Sequence, residues 1–169
     1  VQIEPAHLWI QVEGGAGAHS GVYGLFRFDG SALIEEISAF SSSPGVGRVE
    51  DLNNDSVAEV LLNASDPYVF CYACGVRYVQ WAIERWDGTQ MISVTLEALS
   101  DSAPADVRDF NQHLMDLAQA GLWQEALATL AQAATFSYTE PALAWNLIDI
   151  RVNGEARREA TSEQAYPLL

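Results

Sequence analysis

The spacing of polar and apolar positions changes once along the chain. Up to about Ser100, apolar residues fall on alternate positions and β-branched and aromatic types dominate, the pattern of half-buried strands. Beyond it, Ala, Leu, Gln and Glu dominate and apolar residues recur every three or four positions, which predicts helices. The expected fold class is α+β: an antiparallel β domain of about seven or eight strands with blade-like hairpins over residues 1–100, then a bundle of about three or four helices over 101–169.

In the first part, LWIQV (8–12) reads as a short strand and GGAGAHSG (14–21) as a loop. GVYGLFRF (21–28) alternates, Asp29-Gly30 turns the chain, and SALIEEISAF returns. SSSPGVG (41–47) is another loop, and VLLNASD, YVFCYACGVRYVQWAIERW and TQMISVTL supply further strands, the last joined through Asp87-Gly88. Asp-Gly between alternating runs is a strong hairpin signal, with both turn residues expected at positive φ. The hairpins over 25–37 and 83–95 share an aromatic-Asp-Gly centre, Phe28 in one and Trp86 in the other. That recurrence reads as a structural repeat, with chance as the alternative.

In the second part, SDSAPADV (100–107) predicts a loop and a helix start, with Ser102 or Asp101 as N-cap and Pro104 in the first turn. Leu114, Leu117 and Ala118 form one apolar stripe, and Gly121 interrupts it. Trp123, Leu127 and Leu130 form the next, with Ala126, Ala133 and Ala134 as small contact residues. A third helix is expected over 141–152, with Leu143, Leu147 and Ile150 on one face, ended by Asn153-Gly154 in left-handed geometry. A shorter segment over 155–165 follows.

Composition narrows the function. The 169 residues are 49% hydrophobic, enough to build a core in one domain or two small ones. The formal net charge is −15, from 23 acids against 8 bases. This weighs against nucleic acid and anionic lipid and favours cations and basic partners. The bases are all arginine, so P-loop, Schiff-base and kinase-type lysines are excluded. No apolar run reaches membrane-spanning length, and no membrane insertion is expected. The chain starts at Val1 rather than Met, which fits an exported protein after processing and equally a shortened chain.

The strongest candidate for chemistry is DLNNDSVAEVLL (51–62), in which Asp51, Asn53, Asp55 and Glu59 occupy positions 1, 3, 5 and 9. Calcium takes about six to eight oxygens, and alternate oxygen side chains on a tight loop can converge on one ion, joined by a backbone carbonyl near Val57. The other reading is a connector of Asx turns whose side chains cap their own backbone. It is not an EF-hand, because position 12 is Leu62, position 6 is Ser56 and helical flanks are missing.

The stretch 49–62 resembles the D-x-D-x-D-G-x-x-D/E loops of FG-GAP and VCBS repeats, found in integrin-type propeller blades and many exported bacterial proteins. The aromatic-Asp-Gly hairpin that follows also fits that layout. The resemblance spans residues 23–96 and implies a calcium-supported β-structure with ligands at Asp51, Asn53, Asp55 and Glu59. The family has glycine where this chain has Ser56, and often at Asn54 as well.

LMDLAQAGLWQEALATLAQAATFSYTEPALAW resembles a tetratricopeptide-type helical hairpin. Gly121 falls at the helix turn, Trp123 in the aromatic slot, Ala126 and Leu127 after it, Ala133 near the second helix end and Pro141 before the next helix. One repeat and part of a second are covered, and about three are needed for stability alone, so this hairpin must lean on the β part or on another chain. A generic antiparallel helix pair is the alternative.

Cys71 and Cys74 in CYAC have strand-type residues on both sides, unlike a redox pair at a helix N-terminus, and two thiols with no nearby His cannot build a zinc site. A local disulfide across a turn in an exported protein is the main reading, a reduced structural pair the other. His7, His19 and His113 show no ligand spacing, and Glu35 and Glu36 point to opposite sides of a strand. The expected function is a non-catalytic exported or cell-surface binding or assembly module with a structural calcium site, its partner a protein or another copy of itself. Alternatives are a subunit of a larger extracellular assembly or filament, and a carboxylate-dependent hydrolase that no spacing supports.

Overall fold

The computed structural model describes residues 1–43, 45–71, 76–135 and 140–165, with side chains throughout these except at 76, 134–135 and 159–165. It has the α+β layout, and the chain divides into two compact units, Val1–Val94 and Thr95–Leu169.

The first unit holds the strands β1 (Leu8–Gly15), β2 (Gly21–Phe28), β3 (Leu33–Ser41), β4 (Gly47–Glu50), β5 (Glu59–Asn63), β6 (Val69–Cys71), β7 (Val76–Arg77), β8 (Trp81–Trp86) and β9 (Met91–Ser93). All pair antiparallel. One sheet has the order β1-β2-β3 and the other β4-β5-β8-β9, with β6 and β7, which follow β5 in the chain, forming a separate small ribbon. Trp9, Tyr23, Leu25 and Ile37 line the inner face of the first sheet and form one core with Ile3, Val46 and Val60. Val49, Leu62, Trp86 and Met91 pack against that core from the second sheet. Gly47 is required there, because a Cβ at that position would stand 2.5 Å from the Tyr23 ring.

The outer face of the first sheet does not follow the usual apolar-in, polar-out alternation. Register places Leu8, Phe28 and Leu33 in one row and Ile10, Phe26 and Glu35 in the next. Val22 and Phe40 form a further row at the other end. Leu8, Leu33 and Phe40 are each more than half exposed (58%, 57% and 58%). A bulge between Leu25 and Phe26 leaves Glu36 as the extra residue on β3, where it accepts a 2.8 Å bond from Arg27 Nε.

The two Asp-Gly turns match bond for bond. Asp29 Oδ1 accepts from Ser31 N (2.8 Å), Ser31 Oγ (2.8 Å) and Ala32 N (2.9 Å). Asp87 Oδ1 accepts from Thr89 N (2.7 Å), Thr89 Oγ1 (2.8 Å) and Gln90 N (2.9 Å). Only the glycines take positive φ, Gly30 at 98° and Gly88 at 104°, which corrects the expectation that Asp and Gly both would. The loops are longer than two residues, and each Asp serves as an Asx cap instead.

The second unit contains α1 (Ala105–Gln119), α2 (Trp123–Thr129), which continues as a 3-10 stretch over Leu130–Thr135, and α3 (Pro141–Ala165). Gly121, at φ 77°, closes α1 in a Schellman turn, with Gly121 N bonded to Ala118 O and Leu122 N to Leu117 O. Phe110, Leu114, Ala118, Ala126 and Ile150 form one core, and Leu99, Ala103, Val107 and Leu143 form a second. A polar ladder crosses the unit: Asn146 Nδ2 donates to Glu97 O (2.7 Å) and Asn111 Oδ1 (2.7 Å), and Asn111 Nδ2 donates to Glu97 O (3.0 Å).

Two helix boundaries differ from expectation. The N-cap of α1 is Pro104 with no side-chain cap, not Ser102 or Asp101. Ser102 Oγ instead pairs with Ser100 Oγ at 2.7 Å, and Arg108 Nη1 takes the carbonyls of Asp101 and Ala103. The third helix does not end at Asn153-Gly154 but runs on through the segment that was expected to be separate. Gly154 is a packing residue, since a Cβ there would lie 3.1 Å from Leu127 Cβ and 3.3 Å from Trp123 O. Asn153, fully buried, bonds back to Asp149 Oδ1 at 2.8 Å inside the helix.

Candidate cation loop

The antiparallel pair β4-β5 closes at Glu50 opposite Glu59, leaving residues 51–58 as the connection. Asp51 sits at its base, its Oδ1 accepting from Asp55 N (3.2 Å) and its Oδ2 from Ser56 N (3.0 Å). Asn53 Oδ1 accepts from Asp55 N (3.0 Å), while its Nδ2 donates to Asp55 Oδ2 (2.9 Å). Asp55 Oδ1 accepts from Val57 N (2.7 Å). The alternation read from the sequence thus brings Asp51, Asn53 and Asp55 into one interlinked turn.

The backbone explains how so few residues turn so sharply. Asn54 and Ser56, at φ 61° and 72°, are the two non-glycine residues with positive φ among those described. A left-handed residue costs roughly 1–2 kcal/mol outside glycine, less for asparagine, and the bonds to Asp51 and Asp55 hold the strained pair in place.

Glu59 lies beneath the loop at the first position of β5, 1% exposed. Its Oε2 accepts from Leu52 N at 2.9 Å, drawing the start of the loop toward the strand. Burial pushes its carboxyl up to about 6, and the charges of Asp55 and Asp51 push the same way. Leu52 is buried, and Ala58 N bonds to Ile3 O at 2.7 Å, so both ends of the loop are anchored. Val57 contributes its N–H to the turn.

Among the described residues no three His, Cys, Asp or Glu side chains stand as a ready-made metal cluster. The turn itself links two carboxylates, Asp51 and Asp55, and the Asn53 amide, while the Glu59 carboxylate is bonded to Leu52 N. As they stand, the Asp51, Asn53 and Asp55 oxygens cap the N–H groups of their own turn, the arrangement of Asx turns, and each oxygen that accepts one N–H retains a further lone pair. Cys71 ends β6, whereas Cys74 lies outside the described residues, and the expected disulfide with it.

One polar group and one surface were not anticipated. Against the raising effect of burial, bonds from Ala6 N (2.7 Å), His7 Nδ1 (2.6 Å) and Trp9 Nε1 (3.1 Å) hold the Glu4 carboxyl below its ordinary value. Nothing in the spacing marks Glu4 in advance. The apolar outer face of β1-β2-β3 did have a signal, since the outward positions of LWIQV and GVYGLFRF are as apolar as the inward ones. Comparison with protein-family models, curated proteins and solved structures returns no match to this chain.

Proposed function

We propose that the chain is a non-catalytic binding or assembly module of exported proteins, whose β unit follows the FG-GAP pattern and takes up calcium in the loop over 51–59. The observation that carries this reading is the pairing of left-handed Asn54 and Ser56 with three convergent side chains, Asp51, Asn53 and Asp55, directly before the buried Glu59. Bound calcium would supply positive charge to a cluster of carboxylates. Asp51, Asn53, Asp55 and Glu59, with a backbone carbonyl near Val57, would hold it, and its role would be structural: to fix the entry to β5 and offset the repulsion of three acids.

The bond-for-bond likeness of the turns at Asp29 and Asp87 supports a repeated hairpin. On the helical side, the Schellman turn at Gly121, the fully buried Ala126 and the packing of Trp123 against the core support a tetratricopeptide-like hairpin serving a protein partner. Calorimetric titration with calcium tests the metal reading. One site per chain, lost in Asp55→Ala, is expected; no heat of binding at millimolar calcium, with the protein folded, would exclude it.

A further inference from the structure

We infer that the outer face of the β1-β2-β3 sheet packs against the same face of a second copy of this chain. The inference deepens the assembly reading by naming its surface, and it needs no metal in the loop. Apolar side chains occupy eight of the twelve outward positions of the three strands, from the Leu8–Phe28–Leu33 row at one end to Val22 and Phe40 at the other, with Gly14, Gly24, Ser38 and Glu35 at the remaining four. Glu35 is the one charged side chain on this face, and it stands on the outer strand β3, at the rim.

Size and charge together select the occupant. Three strands about 4.8 Å apart and eight residues of about 3.3 Å cover roughly 400 Å² in projection. With side-chain relief the accessible area is roughly 600–800 Å², so two such faces bury about 1,200–1,600 Å², the range of a specific interface. A scattered exposed leucine needs no explanation, but a contiguous face at the upper end of what monomers expose does. A basic partner drawn by the net charge of −15 would seek acidic side chains, and this face has one at its edge. A largely apolar sheet face instead matches another such face, and a two-fold axis presents each copy with its own complement. Phe26, on the middle strand, then lies nearest the centre, already laid across Gly24, where an added Cβ would stand 2.9 Å from the ring.

The test is sedimentation velocity of the full chain in EDTA, from about 1 to 100 μM, at 0.15 and 0.5 M NaCl. EDTA separates this outcome from that of the calcium reading. The expected species has twice the 18.4 kDa chain mass. Its dissociation constant should fall at the higher salt, because salt screens the repulsion of two acidic chains and leaves apolar burial intact. Phe40→Glu and Leu33→Lys, at exposed positions, should each weaken association at least about tenfold with unchanged circular dichroism. Leu8→Lys on the opposite strand serves if either fails to fold. Leu122→Lys, on an exposed leucine of the helical unit, should leave the dimer intact. A monomer at 100 μM in both salts would overturn the inference, as would a dimer indifferent to the face variants or broken by Leu122→Lys.

Discussion

Glu59 is the side chain at which the burial of the fold and the proposed calcium site meet. Its folded carboxyl is raised from 4.5 to about 6, chiefly by burial. A raised carboxyl favours its neutral form in the folded state, so its contribution to stability is full below the ordinary value and is lost as pH rises through about 6. At neutral pH without metal, ionised Glu59 therefore costs on the order of 2 kcal/mol. Glu59→Gln should stabilise the β unit by up to about that amount in EDTA at pH 7 and abolish any gain from calcium, a reversal that urea unfolding in the two buffers detects. Destabilisation in both buffers would show that the carboxylate serves Leu52 N alone. Ser56→Gly should add up to about 1 kcal/mol by relieving the left-handed strain at φ 72°.

At the scale of the element, Gly154 and Asn146 carry the clearest expectations. Gly154→Val puts a branched side chain where even a Cβ would stand 3.1 Å from Leu127, and should cost the helical unit about 1–3 kcal/mol in denaturant unfolding. Asn146→Ala leaves Glu97 N and part of Asn111 without their buried partner, and should cost about 1–3 kcal/mol or more. Such contacts also mark where sequence reading succeeds. The hairpins at Asp29 and Asp87 were legible because β-branched and aromatic runs flank turn residues, and the turn over 51–59 because side chains on alternate positions must crowd within one tight connection. The end of the third helix was not. Glycine serves both as a left-handed cap and as a gap for close helix packing, and only the position of Leu127 decides between them. Nor does alternation reveal which face of a sheet is covered when both faces are apolar, as in β1 and β2. The direction in which the loop oxygens turn, toward backbone N–H groups, is a property of geometry that spacing alone does not contain.

At the scale of the whole molecule, acid and base balance set the conditions of stability. Burial raises the Asp149 carboxyl from 3.8 to about 6, with the Asn153 bond opposing it only in part. By the same sign rule its stabilising contribution is present below 3.8 and fades as pH rises through about 6. Together with a net charge of −15, this should place maximal stability on the acid side of neutrality in the absence of metal, above the range in which Glu4, Asp29 and Asp87, held below their ordinary values, lose their contributions. Asp149→Asn should flatten the fall in the urea midpoint between about pH 4.5 and 7, and an unchanged slope would count against a buried, ionisable Asp149. Calcium should act in the opposite sense, giving the acidic chain back at neutral pH what its own repulsion removes. The measurement that bears most directly on this account is thermal unfolding at pH 7 in EDTA and in millimolar calcium, with Asp51→Ala alongside. A site filled to about 100 times its dissociation constant adds about 2.7 kcal/mol, so the midpoint of the wild-type chain should rise by about 5 °C or more, and that of the variant should not move. Equal midpoints for the wild type in both buffers would contradict the account and leave the loop over 51–59 a polar turn held by its own backbone.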